Sequence, residues 1–258
     1  MELNNTLSES ERRQKNYYNR IASTYDRHFA SENSIKYRTG VFGILLGDFD
    51  FRGKRVLDAM CGGGESTPYF LNRGAQVVGL DLSEKQCEYF RAKFPQCEVV
   101  CRSMLHSEFP DNSFDFIIIE SLHHLPPHLE AGLQELTRIL KTGGTLCIWE
   151  PSSGSLLDLA RKIWYKLDNK YFEENECSID LDRVSDTLRG KMTLNTYCYG
   201  GNLAHLFVQG SMLFRIPQPL VKVYAPLFLW LEPRIQRIQS RLFSCWVLAT
   251  FKKDDVAH

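Results

Sequence analysis

The stretch "VLDAMCGGGEST", Val56 to Thr67, decides the fold. It leads from an apolar segment, "KRVLDA", through Asp58 into three successive glycines, Gly62, Gly63 and Gly64. A buried strand that breaks into a glycine loop brings backbone N–H groups up to a nucleotide-like ligand. Dinucleotides, nucleoside triphosphates and sulfonium compounds are all held in this way. A dinucleotide loop needs G-x-G-x-x-G, and here its third position falls on Thr67. A triphosphate loop ends in Gly-Lys-Ser/Thr, and no Lys or Arg stands between Val56 and Thr67. Asp58 adds an electrostatic argument. A carboxylate there repels pyrophosphate and attracts an ammonium or sulfonium. At about 4 Å and an effective dielectric of about 20, that interaction is worth about 4 kcal/mol before desolvation.

Outward from this loop the pattern is regular. "ESTPYFLNRG" reads as a short helix, "QVVGLD" as a strand, and "SEKQCEYFRAKF" as a helix opened by Ser83 with Gln86. "CEVVC" and "FDFIIIE" read as strands, with a turn at Pro110–Asn112 between them. "PHLEAGLQELTRIL" is a helix, "KTGG" a turn and "TLCIWE" a fifth strand. Upstream, Ser8 with Glu11 forms a capping box, and Tyr37, Val41 and Leu45 mark a second helix. Strand and helix alternating five times predict a parallel sheet covered on both faces. Its ligands bind beyond the carboxyl ends of the strands. The loops after Asp58, Asp81, Cys101, Glu120 and Glu150 therefore converge. Asp81 ends the second strand, where a carboxylate can take two ribose hydroxyls. One acid for a cationic amino-acid end and another for a ribose fit S-adenosylmethionine.

"VLDAMCGGGEST", "VVGLDLSE", "FPDNSFDFIIIESLHHLP" and "LKTGGTLCIWEP" follow one another in the order and spacing of a known family. The chain resembles the class I S-adenosylmethionine-dependent methyltransferases, in the small-molecule group with an LDxGCGxG loop, over Tyr17 to Pro151. The resemblance implies an α/β fold: a Rossmann-like three-layer sandwich. Its seven-stranded sheet is mostly parallel with an antiparallel last strand, here "FSCWVLATF", and carries an N-terminal helical lid and a C-terminal helical insertion. The implied division is a lid over 1–40, a cofactor-binding core over 41–150, and an acceptor-side insertion with the final strands over 151–258. It implies that Asp58, Ala59, Gly62 and Gly64 hold the methionyl end, and that Tyr25 of the lid approaches it. Asp81 would take the ribose, with Leu82 beside the adenine and Glu120 where the fourth strand meets the cofactor. The family's adenine-binding Asp is replaced by Ser103, followed by Met104. Met60 stands where the family has Gly, so its side chain is expected to turn away from the ligand.

The acceptor is not written in these motifs. His123, His124 and Glu150 are the candidates for a base or an orienting group. His205, Tyr197 and Tyr199 are candidates for the acceptor pocket. The implied activity is methyl transfer to an O or N nucleophile of a small or lipid-linked acceptor. A cofactor-binding protein without catalysis stays open, as does a nicotinamide oxidoreductase, which Asp58 and the missing third glycine oppose. Lys+Arg and Asp+Glu both number 31, which argues against dedicated nucleic-acid binding. The eight cysteines include no CxxC, so reduced core thiols in a cytoplasmic protein, without a metal, are expected. The region after Glu150 breaks the regular pattern. "LLDLARKIWYKLD" reads as an amphipathic helix, Tyr171–Thr196 as an irregular lid, "GNLAHLF" as a helix and "GSMLFRI" as a strand. In "PRIQRIQSRLF", Ile235, Ile238 and Leu242 share a stripe beside Arg234, Arg237 and Arg241. Such a helix docks on the core, or makes a peripheral membrane contact through residues 225–242.

Overall fold

The computed structural model describes residues 7–125, 128–167 and 177–255. The chain begins with two helices, α1 (Glu9–Phe29) and α2 (Glu32–Leu46). The capping box forms as the sequence predicts: Glu11 Oε2 accepts from Ser8 N at 2.8 Å and Ser8 Oγ from Glu11 N at 3.3 Å. The alternating core follows: β1 (Arg55–Ala59), α3 (Thr67–Leu71), β2 (Gln76–Asp81), α4 (Glu84–Lys93), β3 (Glu98–Cys101), β4 (Phe114–Ile119), α5 (Leu129–Ile139) and β5 (Leu140–Pro151). The last part holds α6 (Leu156–Leu167), α7 (Leu181–Leu188), β6 (Met192–Gly200), α8 (Leu203–Phe207), α9 (Gln218–Gln236) and β7 (Trp246–Lys253). The seven strands form one sheet in the order β3-β2-β1-β4-β5-β7-β6. β7 runs antiparallel to both of its neighbours, and the β1–β5 pairs are parallel.

Period-two alternation places successive side chains on opposite faces. Leu57, Ile117, Ile119, Leu146 and Ile148 join the cluster under α5 and α7. Val56, Phe116, Ile118, Cys147 and Trp149 join the other, under α2, α3 and α9. Both faces are covered, which is why "FIII" reads as an unbroken apolar run. In α5, Leu133 and Leu136 are wholly buried, each contributing about 1.5–3 kcal/mol of hydrophobic stabilisation.

Three expectations change. "GSMLFRI" is not a strand: Gln209–Met212 is a 3-10 turn, and Arg215 sits at φ 56. The sixth strand is "MTLNTYCYG", which begins inside the stretch read as an irregular lid and runs on past its end at Thr196; residues 171–176 of that stretch lie outside the described residues. This is an edge strand whose alternation is interrupted by a register shift between Leu194 and Thr196, so its pattern is weak. The basic stripe in "PRIQRIQSRLF" does not lie on one helix. α9 ends at Gln236, and only a 3-10 turn, Arg241–Phe243, follows. The Gln236 and Gln239 amides instead reach the carbonyls of Tyr199 and Gly201, tying this link to the loop after β6. α9 itself contains Pro226 and Pro233, both exposed, which interrupt its sequence signature. A smaller change is that "KTGG" is drawn into the start of β5.

Candidate active site

The carboxyl ends of β1, β2, β4 and β5 open onto two joined cavities. Tyr18, Tyr25, Met60, Ser121 and His124 border both. The smaller, about 60 Å³, is a slot between α1 and the ends of β2 and β3. The larger, about 540 Å³, spreads from the end of β1 towards α6 and α8.

Asp81 braces the slot. Its Oδ2 accepts from Gly62 N and its Oδ1 from Ser83 N, both at 2.8 Å, so the glycine loop is pinned to the end of β2. Burial pushes this carboxyl up to about 6 against the pull of those donors. Gly62 needs its freedom, with φ at 55 and a Glu65 oxygen 2.8 Å from where a Cβ would sit. Gly64 does not line either cavity: a Cβ there would meet Phe94 at 2.6 Å and Phe90 at 2.8 Å. It lets the loop lie against α4, a packing duty. Leu82, Ser103 and Met104 line the slot, and the Ser103 hydroxyl donates to Glu11 of α1. That bond and the Ser8 donors hold the Glu11 carboxyl below its usual range despite burial, so it is ionised. Met60 takes a left-handed φ of 55 and borders both cavities, packed on the apolar cluster below.

Asp58 and Ala59 line the larger cavity. Asp58 is buried and accepts from the Thr67 hydroxyl at 2.8 Å. Burial, with Glu120 close by, pushes its carboxyl well above the ordinary value. Arg38, the nearby cation, is committed elsewhere. It pairs with Glu120, donates to Ser66 Oγ at 3.1 Å and lies over the Trp149 ring at 5.3 Å. Ser66 also donates to Glu120. The Tyr25 hydroxyl stays protonated, raised by burial and by Glu65.

Glu150 closes the far wall. It is buried and accepts from Leu122 N at 2.7 Å and His123 N at 3.3 Å, and its Oε2 meets His123 Nδ1 at 2.8 Å. Burial lowers His123 to about 3, so the ring is neutral, and the tautomer that donates through Nδ1 leaves Nε2 as an acceptor. His124 Nε2 meets the Tyr18 hydroxyl at 2.9 Å, linking α1 to the turn after β4. His205 lines the larger cavity, its Nδ1 buried without a hydrogen-bond partner among the described residues. Tyr197 and Tyr199 do not line it. They lie on β6, with Tyr197 half exposed. Glu11, Arg38, Glu65, Ser66, Trp149 and Arg161 border the cavities without having been singled out. Glu11 had only its capping signal, which announces a helix start and not a ligand wall. Among the described residues, no cluster of three His, Cys, Asp or Glu could hold a metal. No described helix is long and apolar enough to cross a membrane.

Residues 56–144 match the family described as "Methyltransferase domain". Over 154 residues the chain is 29% identical to the biotin biosynthesis bifunctional protein BioHC of Cellvibrio japonicus, covering 58% of this chain and 30% of that protein. It is 26% identical over 167 residues to a demethylmenaquinone methyltransferase of Listeria welshimeri, covering 60% and 67%. The chain thus spans under a third of the first relative and about two thirds of the second. The crystal structure of magnesium protoporphyrin IX methyltransferase from Synechocystis PCC 6803, with bound S-adenosylhomocysteine, superposes with a TM-score of 0.63. Identity there is 12%, and the match covers 95% of this chain and 100% of that one. Residues 56–144 thus match a methyltransferase domain, and the seven-stranded sheet that contains them shares the fold of the superposed methyltransferase structure.

Proposed function

We propose that the protein transfers the methyl group of S-adenosylmethionine to an oxygen or nitrogen nucleophile of a small or lipid-linked, largely apolar acceptor. The observation that carries this reading is Asp58. It is a buried carboxyl in the wall of the larger cavity, with a hydroxyl for a partner and the adjacent arginine engaged by Glu120. Such a group is completed by a ligand cation.

The residues present fit the cofactor. In this reading Asp58 and Glu120, with Ala59 and the Gly62 backbone, hold the methionyl end, and Arg38 is placed to meet its carboxylate. Asp81 takes the ribose hydroxyls, Leu82 and Met104 pack on the adenine, and Tyr25 covers the join. Ser103 is short and uncharged, but Glu11 reaches it from α1, so an ionised carboxylate is still available to accept from the adenine amino group. Bound there, the cofactor supplies an activated methyl group on a positively charged sulfur. What remains for the protein is position, dryness and the acceptor's proton.

The larger cavity suits a ring-bearing or otherwise apolar acceptor, since Tyr17, Phe29, Trp149, Phe207 and Phe214 are among its walls. His123 is too weak a base to strip a hydroxyl in the resting state. Burial holds the Glu150 carboxyl well above its ordinary value as well, so in this reading His123 takes the proton only as the new bond forms, and Glu150 ionises in answer to the charge that arrives beside it. His124, held by Tyr18, orients the acceptor and fastens the lid. Calorimetric titration with S-adenosylmethionine, S-adenosylhomocysteine and NAD tests the assignment. The two sulfur compounds should bind and NAD should not; heat with NAD alone would sink it.

A further inference from the structure

Twelve large apolar side chains are exposed among the described residues, and ten of them fall in two stretches, 156–163 and 220–243. They are not scattered as chance surface apolars are. On α9, Leu220, Val223, Leu227 and Trp230 recur at i, i+3, i+7 and i+10, forming one stripe. Each is more than half exposed, Val223 by 76%. The other face of this helix, at Val221 and Ala225, is buried. On α6, Leu156, Leu159 and Ile163 repeat the spacing, all half exposed, while Leu157 and Arg161 face the larger cavity. The turn Arg241–Phe243 packs on α6 and adds Leu242 and Phe243.

Charge identifies what this face meets. From residue 214 to 245 the sequence has a single acid, Glu232. That carboxylate is buried, accepting from Asn202 N and Ala204 N at the start of α8. Arg234 and Arg237 are exposed on this segment with no exposed acid among them, and Lys222 is exposed too but has Glu32 of α2 near enough to feel its charge. Arg241 is set aside, because Asp180 and Asp182 stand within 3.8 Å of it. A second copy of the chain, related by a two-fold axis, would bring these cations against their own kind. An anionic bilayer meets both features, with acyl chains for the stripe, headgroups for the cations and an interface for Trp230.

We propose that α6, α9 and the turn after α9 form a docking face for anionic phospholipid membranes. The inner sides of α6 and α8, on which α9 packs, wall the acceptor cavity. A lipid-soluble acceptor therefore enters from the membrane that the outer sides touch. That last step rests on the proposed methyl transfer; the docking does not.

The test is co-sedimentation of the full chain with vesicles of phosphatidylcholine alone or mixed with phosphatidylglycerol. The chain should pellet with the mixed vesicles and not with phosphatidylcholine, and salt should weaken the binding. Val223→Glu with Leu227→Glu should weaken it about tenfold or more. Arg234→Ala and Arg237→Ala should each weaken it about fivefold. Titration of each variant with S-adenosylhomocysteine, at unchanged affinity, shows the fold intact. No pelleting of the wild type overturns the proposal, as does pelleting undiminished in the variants. A dimer in sedimentation velocity that the glutamate pair dissolves would overturn it in favour of a second copy. Vesicle binding without any affinity for S-adenosylhomocysteine would overturn the methyl-transfer reading and leave the docking face standing.

Discussion

Around the ends of β1 and β2 the acids are engaged, while Gln14 Nε2 and both amide atoms of Gln86 in the slot are buried without a hydrogen-bond partner among the described residues. Asp81 takes two backbone N–H groups, Asp58 a hydroxyl, Glu120 an arginine and a serine, and Ser103 a glutamate. Around the end of β5 the cavity is about nine times larger, at about 540 against 60 Å³, and His205 Nδ1 has no partner among the described residues. In the proposed reading the donor spans both: the narrow slot takes its nucleoside, and Asp58, Ala59 and Glu120 in the larger cavity take its methionyl end. The acceptor side is roomy and aromatic, and fixes polarity at few points. Such an arrangement makes cofactor affinity sensitive to single atoms and acceptor affinity tolerant of them.

That contrast can be broken at four points. Asp58→Asn keeps the shape and the bond from Thr67 but removes the charge. It should cost about 3 kcal/mol of cofactor affinity, more than a hundredfold by calorimetry; a change under threefold would mean that Asp58 meets no cation. Glu150→Gln turns an amide N–H towards the donors at Leu122 and His123, costing about 2 kcal/mol of stability. Thermal melting should fall by about 4–8 °C, and methyl transfer should drop while S-adenosylhomocysteine still binds. Asp81→Ala should weaken S-adenosylhomocysteine at least tenfold, about 1.4 kcal/mol; an unchanged constant removes the ribose assignment. Glu11→Gln should cost about 1 kcal/mol and erase any preference for the adenosyl over the inosyl compound, whose six-position offers no amino donor.

The pH dependence sharpens the third of these. The Asp81 carboxyl titrates near 3.8 when unfolded and is raised to about 6 in the fold. Its protonated form is favoured by folding, so its contribution to stability is present at low pH and is lost as pH rises from about 4 through 6. Ribose binding needs the opposite form. Cofactor affinity should therefore climb through pH 6 while the ligand-free protein loses that contribution, and Asp81→Ala should flatten both trends.

Much of the donor side was legible because it depends on strand ends. A strand terminating in a glycine loop or an acid delivers its last residue to the cleft wherever the sheet alternates regularly. Asp58, Ala59, Asp81, Leu82, Glu120 and Glu150 accordingly border the cavities. The packing of Gly64 on Phe90 and Phe94 was not legible, because a glycine needed for a ligand and one needed for a phenylalanine look alike in sequence. Glu11 and Arg38 went unseen because they arrive from helices far away along the chain, with only amphipathic spacing to announce them. On the acceptor side, β6 is an interrupted edge strand and α9 is a helix with two prolines, so each contradicts its own local signal. Tertiary packing supplies what propensity withholds there.

One helix touches everything of interest. α1 contributes Glu11 and Tyr18 to the slot, and Ile21 and Phe29 to the larger cavity. It is latched by Tyr18 to His124, by Asn19 to Ser83 and by Asp26 to Lys93. In the proposed reading, spent donor and finished product leave past this one helix, and any opening has to part these ties together with that of Ser103 to Glu11.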